Sequence, residues 1–329
     1  MNDMKQAVAT IEGKDVFAYT IGHPDGLQIT ALNYGGVITG VCLNGSSNLV
    51  LSYQDPFTYS TNPDYIGALI GRTAGRIPGA SVSTENGVAD LDKNDGNHNL
   101  HGGFNGFSSQ FFDVEEGENE LTMTTVSPDG EGGYPGNLKT KVIYRIKGDA
   151  LHISYEASAD KATPVNMTHH AYFNFGSADI LKHVLTIPSD RFWKIDEDSL
   201  PVEKTPAEGP FQFQEGRAIG EALMMDHEQL TIAGGIDHPF ELNLEGPILL
   251  EDPETGVQMS IETTAPAVVI YTGNKLSEKP GEENRFMKHG AVCIETQHVP
   301  GKAEGLIVQP GEIYQEKTVF HFKKTGTDD

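Results

Sequence analysis

Cysteine and basic residues are what this sequence has least of. Only Cys42 and Cys293 occur in 329 residues, which excludes a disulfide framework and a four-cysteine zinc site. Lys and Arg number 23 against 47 Asp and Glu, a net charge of −24. That balance argues against nucleic acid or an anionic membrane surface as a partner. The opening Met1-Asn2-Asp3-Met4-Lys5-Gln6 leads into no apolar signal core, and no hydrophobic run approaches the roughly 20 residues that span a bilayer. The expectation is a cytoplasmic protein that handles a neutral or cationic small molecule. Also missing are G-x-x-x-x-G-K-[ST], H-E-x-x-H, G-x-S-x-G and a G-x-G-x-x-G between strand and helix. No cofactor is therefore expected, and proton chemistry by side chains remains.

Turn formers are plentiful. Glycine (37) and proline (18) exceed average usage, which favours many turns between short strands. Across residues 14–54, Leu27, Ile29 and Ala31 alternate, an apolar run fills 37–43, and Asn33-Tyr34-Gly35-Gly36 separates the two. The clearest hairpin has Val142, Tyr144 and Ile146 alternating before Lys147-Gly148-Asp149-Ala150. Leu151, Ile153, Tyr155 and Ala157 alternate after that turn. Further strands are predicted at 184–187, 257–261, 267–271 and 317–322, with a short helix within 217–230 and a frayed tail over 325–329. No linker, repeat or low-complexity segment interrupts the chain. Length alone allows two domains, but large all-β domains use this length as one. The reading is a single domain over 1–329, all-β, a large antiparallel β-sandwich.

One stretch stands apart. Ala291-Val292-Cys293-Ile294-Glu295-Thr296-Gln297 reads as a buried strand carrying a carboxylate. Alternation puts Cys293, Glu295 and Gln297 on one face and Val292, Ile294 and Thr296 on the other. A carboxylate buried without a partner costs several kcal/mol, roughly, so such a residue has a partner or a task, unless the strand is an edge facing water. Arg72 and Arg76 lie in a glycine-rich segment, as surface charges or as site residues. His98 and His101 form an H-x-x-H pair in a glycine-rich loop, with His169 and His170 further on and Asp237 beside His238 in another tight loop. These histidines suit acid–base work or metal ligation. His98 and His169 read more readily as structural, His238 as a residue that orients its loop, Tyr172 and Phe173 as core, and Cys293 as a small buried hydrophobe.

With these residues in view, the chain resembles the galactose mutarotase (aldose 1-epimerase) family. The resemblance rests on Asn33-Tyr34-Gly35-Gly36, Gly71-Arg72 through Arg76-Ile77, Asn99-Leu100-His101-Gly102-Gly103, and Asp129-Gly130 through Gly136. It continues through Thr168-x-His170-x-Tyr172-Phe173-Asn174, Asp237-His238-x-Phe240, Tyr271-Thr272-Gly273-Asn274, Glu295-Thr296-Gln297 and Pro310-Gly311-Glu312-x-Tyr314. It implies a β-supersandwich and cofactor-free interconversion of the α and β anomers of an aldohexose such as galactose or glucose, with a monosaccharide as partner and a monomer or homodimer as the working form. Residue by residue, it implies Glu295 as the base at the C1 hydroxyl and His170 as the acid at the ring oxygen. It further implies His101 as a binding and polarising group, and Arg76 and Asp237 as holders of sugar hydroxyls.

The chain departs from the family pattern at Gly75 and His169, where Asn is common, at Val269, where Gln is common, and at Pro300-Gly301, where Pro-Asp is usual. These departures predict a weaker preference between hydroxyl epimers than the family shows. Two rival readings stand beside the acid–base one. A non-catalytic carbohydrate-binding sandwich would keep Arg76, Asp237 and the aromatics without needing both His170 and Glu295. A metal enzyme would use His98, His101 and His170 with a carboxylate.

Overall fold

A computed structural model describes residues 5–85, 87–243, 245–279, 282 and 285–325, apart from the side chains of 303 and 304. The named strands all pair antiparallel. A nine-stranded sheet takes the spatial order Asp113–Gly117, Glu120–Ser127, Leu138–Lys147, Ala150–Ala159, Tyr314–Lys324, Val257–Thr263, Ile248–Glu251, Val184–Thr186, Arg217–Ala218. A six-stranded sheet runs Tyr172–Phe173, Val292–Gln297, Ala267–Tyr271, Asp237–Glu241, Arg191–Ile195, Pro201–Pro206. A four-stranded meander over Lys5–Ile11, Lys14–Gly22, Leu27–Leu32 and Ile38–Leu43 forms a third sheet. The architecture is all-β, an antiparallel β-sandwich, as the strand alternation predicts.

Period-two patterning explains how the two large sheets meet. In the hairpin, Val142 opposes Tyr155, Tyr144 opposes Ile153 and Ile146 opposes Leu151, and all six side chains are buried on one face. They share one apolar core with Phe320 and Phe322 of the same sheet and with Phe240, Val268, Ile270, Val292 and Ile294 of the six-stranded sheet. Full burial of such a side chain contributes about 1.5–3 kcal/mol, so the register of each strand is strongly fixed: a one-residue slip would expose the whole set. Register also decides what the other face carries. Cys293, Glu295 and Gln297 are held away from this core because their neighbours Val292 and Ile294 are held in it.

The described α-helices are Ile219–Leu223, within the stretch expected to hold a short helix, and Glu228–Ala233, which runs past its end. Thr325, placed in the frayed tail, donates its backbone N–H to the Gly256 carbonyl at 2.9 Å; 326–329 lie outside the described residues. No described helix is long and apolar enough to cross a membrane.

Candidate active site

The core-averse face of the six-stranded sheet forms the floor of a cavity of about 260 Å³. Register sets the floor out in rows. Cys293 lies beside Tyr271 and Tyr271 beside Asp237; Glu295 lies beside Val269 and Val269 beside Pro239; Gln297 lies beside Ala267. The opposite wall comes from Tyr65, Gly75, Arg76, Asp95, His101, His170 and Pro300. The five side chains singled out in the sequence, Arg76, His101, His170, Asp237 and Glu295, all line this one cavity.

Glu295 is buried, 3% exposed, and its Oε1 lies 3.6 Å from His170 Nε2. That separation is beyond a hydrogen bond. Burial, reinforced by the Asp237 carboxylate and opposed by the Arg76 guanidinium, pushes the Glu295 carboxyl well above its usual range. Burial also depresses His170, to about 4. Both shifts favour the neutral forms, so burial disfavours a salt bridge here and draws a proton shared by the pair toward Glu295. Behind the imidazole, Cys293 Sγ is 3.4 Å from His170 Nδ1. The thiol is pushed up by burial and by Glu295 and stays protonated. Sequence reasoning had Cys293 as a small buried residue; it is one, and it also seats the imidazole.

His101 is fixed by its backbone neighbours. Its Nδ1 accepts the Gly75 N–H at 3.2 Å, which leaves the proton of the neutral ring on Nε2. Desolvation first, then the neighbouring His170 and Arg76, hold His101 well below the ordinary imidazole range. It is therefore a neutral N–H donor. The His101 and His170 rings meet edge to face at 5.4 Å between centroids, and Tyr65 packs on His101 at 4.7 Å.

The H-x-x-H pair does not act together. His98 Nδ1 accepts the Gly79 N–H, and its Nε2 is 3.4 Å from Asp198; His98 is absent from the cavity wall. The ligand set of His98, His101 and His170 is thereby corrected: the short strand Asn99–Leu100 separates the first two, and His98 bonds to Gly79 and faces Asp198, away from the cavity. One ligand atom each from His101, His170 and Glu295 does fall within 4.8 Å of the others, a spacing that a catalytic zinc would accept. The Gly75 bond argues against it, because a protonated Nε2 on His101 has no lone pair to give a metal.

Arg76 Nε donates to Asp95 Oδ2 at 2.7 Å. Its terminal nitrogens have no other hydrogen bond among the described residues, so they are available to a ligand. Desolvation raises Asp237, against the pull of Arg76 and Lys275. The Asp237 backbone N–H donates to His238 Nδ1 at 3.0 Å, and His238 Nε2 sits 3.2 Å from Gln229 Oε1. Gln229 in turn bonds both backbone groups of Ile195. Asp237 and His238 begin a strand rather than lying in the tight loop expected, and His238 ties that end of the strand to Gln229.

Arg72 is neither a surface charge nor a site residue. It is 2% exposed, and its guanidinium donates to the carbonyls of Ser127, Pro128, Pro135 and Gly136 and to the hydroxyls of Ser127 and Thr163. It clamps the loop over 127–137, whose Tyr134 hydroxyl reaches Asn99 Oδ1 at 2.8 Å and Thr73 Oγ1 at 2.5 Å. That clamp supports the turn that carries His101. Phe173 is core. Tyr172 is core and cavity wall at once, its hydroxyl donating to the Asp64 carbonyl at 2.8 Å. Sequence reasoning missed Asp95, Tyr65 and the cavity role of Gln297. Asp95 sits in Asn94-Asp95-Gly96-Asn97, where turn chemistry masks any other use.

A family model described as aldose 1-epimerase matches residues 18–321. Galactose mutarotase of Rattus norvegicus is 33% identical over 320 residues, covering 91% of this chain and 92% of the relative. Aldose 1-epimerase of Haemophilus influenzae is 30% identical over 325 residues, covering 92% and 95%. Among solved structures, galactose 1-epimerase from Lactobacillus acidophilus NCFM superposes with a TM-score of 0.91 at 29% identity, covering 98% of each chain.

Proposed function

Because this chain belongs to the aldose 1-epimerase family, we propose that its cavity interconverts the α and β anomers of an aldohexose by acid–base ring opening. The observation that carries the reading is the Glu295–His170 pair, buried and held 3.6 Å apart over one cavity. A binding module has no use for such a pair. Burying two titratable groups with no hydrogen bond between them costs stability, and a hydroxyl-rich ligand could be held by Arg76 and Asp237 alone.

The single proton of the pair is what the chemistry moves. Ring opening takes a proton from the C1 hydroxyl and delivers one to the ring oxygen. With the proton on His170 Nε2, Glu295 is a carboxylate and accepts from the C1 hydroxyl, while Nε2–H protonates the ring oxygen and the bond from C1 to that oxygen breaks. The enzyme is left with protonated Glu295, neutral His170 and a bound aldehyde. This is the protonation state that burial favours. Rotation about C1–C2 presents the other face of the carbonyl, and the same transfers run backwards to close the ring. Each positioned proton-transfer group contributes ~10²–10⁴ in rate. Arg76 stabilises the charge-separated arrangement by favouring ionised Glu295. His101 donates Nε2–H toward the reacting oxygens, and Arg76 and Asp237 hold hydroxyls by charge-assisted hydrogen bonds. Cys293 Sγ, 3.4 Å from His170 Nδ1, seats the imidazole with Nε2 toward Glu295, so Nε2 is the nitrogen that gains and loses the proton.

All five side chains come from one copy, so a monomer or a homodimer serves equally. We take 1–329 as one functional domain. Two free thiols among the described residues suit the reducing cytoplasm, and neither nucleic acid nor membrane has a role in the reading. The test is polarimetry of fresh α-glucose and α-galactose with chelator present. The protein accelerates the drift to equilibrium in both solutions. No acceleration with either sugar, or activity that chelator abolishes and zinc restores, contradicts the reading.

A further inference from the structure

We propose that Gln297 is a substrate-binding and specificity-determining residue, its side-chain amide gripping a sugar hydroxyl other than that on C1. The proposal rests on the anomer-exchange reading above and extends it. Gln297 is 2% exposed, yet its Oε1 has no hydrogen-bond partner. Of the described residues with such orphaned buried side-chain atoms, Gln297 alone lines the active cavity. A buried amide oxygen left without a donor is costly, and a half-turn of the amide toward the cavity that it lines would let a ligand hydroxyl supply one. A primary amide both donates and accepts, which matches a hydroxyl in either role and holds whichever way the amide is turned.

Its place on the strand says which hydroxyl. Gln297 follows Glu295 by two residues on the same face, about 6.6 Å along the strand. It lies on the opposite side of Glu295 from the row that contains Asp237. That offset exceeds the spacing of hydroxyls on neighbouring ring carbons. With Glu295 at C1, Gln297 therefore addresses a hydroxyl further round the sugar, at an end of the ring that Asp237 does not reach. Gly75 and Pro300, the latter three residues beyond Gln297, also line the cavity, and neither offers a side-chain hydrogen bond. A side chain cannot be added there either: a Cβ on Gly75 would fall 2.4 Å from Pro300 Cγ. Discrimination lost at Gly75 is thus supplied from the floor by Gln297.

The experiment measures anomer exchange by NMR on glucose and its 2-, 3-, 4- and 6-deoxy analogues, with wild type and Gln297→Met. Wild type loses roughly 10- to 100-fold in kcat/KM at the one position that Gln297 reads. Gln297→Met loses a similar factor on glucose, mainly through KM, and is indifferent to removal of that same hydroxyl. Gln297→Leu serves as a second variant should the first not fold. Equal deoxy penalties in wild type and a folded variant, or glucose kinetics within twofold of wild type, overturn the assignment while leaving the anomer-exchange reading intact. Absence of exchange in wild type itself removes that reading and the assignment with it.

Discussion

Gly75 is where backbone conformation, packing and the site meet, and its replacement by alanine has a calculable cost. Its φ is +73°, a left-handed conformation that costs an L-residue with a Cβ about 1–2 kcal/mol. The new methyl would stand 2.4 Å from Pro300 Cγ and 2.5 Å from Pro300 Cβ. Pro300 is buried and its ring is rigid, so the overlap adds an overpacking cost of about 1–3 kcal/mol. Gly75→Ala should therefore destabilise the protein by about 2–5 kcal/mol. It should also lower kcat by roughly 10-fold or more, because the Gly75 N–H holds His101 Nδ1 and small displacements of a positioned group are costly. The assay is urea unfolding together with polarimetric kinetics. Pro300→Gly in the same chain removes both Cβ and Cγ, so it should recover the packing part and leave the backbone part, a coupling of about 1–3 kcal/mol between the two sites. A Gly75→Ala protein within about 0.5 kcal/mol of wild type, or costs that simply add in the double variant, would falsify this reasoning.

Two further outcomes follow from the charges in the cavity. Activity needs one proton on the Glu295–His170 pair, so it falls where a second is added and where the only one is lost. His170 is depressed to about 4 and Glu295 is raised. The kcat profile against pH should accordingly be a broad bell, its acid limb far below ordinary imidazole titration; an acid limb near 6.5, the unperturbed histidine value, refutes the shared-proton account. Arg76→Ala should mainly raise KM, because a hydroxyl contact operates in the ground state too, with a smaller loss in kcat from the lost support of ionised Glu295. Unchanged KM in that variant rules Arg76 out as a binding residue.

Much of this was legible because it is written in local periods. Alternation over 291–297 puts Glu295 and Gln297 on one face and Val292 and Ile294 on the other, and the fold turns the first to the cavity and the second to the core. The hairpin register follows from alternation and the turn at Gly148. The resemblance to a known family brought together residues as distant as Arg76 and Glu295, which no local period connects. Contacts between distant segments were not legible. Arg72 looks like a surface charge until the carbonyls of 127–136 close around it. Asp95 looks like turn chemistry until it meets Arg76. Gly75 reads as a lost hydrogen bond, while the structure makes it a steric requirement set by Pro300, 225 positions away by the numbering of the two residues. The unpaired amide of Gln297 is likewise a property of its surroundings, and a sequence states no surroundings.

The central claim is that Glu295 takes and returns the C1 proton, and Glu295→Gln tests it most directly. The amide keeps the shape and most of the hydrogen bonding but cannot accept that proton. With folding verified by a thermal melt, polarimetry on glucose should show kcat reduced by roughly 10²-fold or more, with KM little changed. A folded Glu295→Gln protein that retains near-normal kcat would contradict the account, and the buried carboxylate would then be a binding group on a strand.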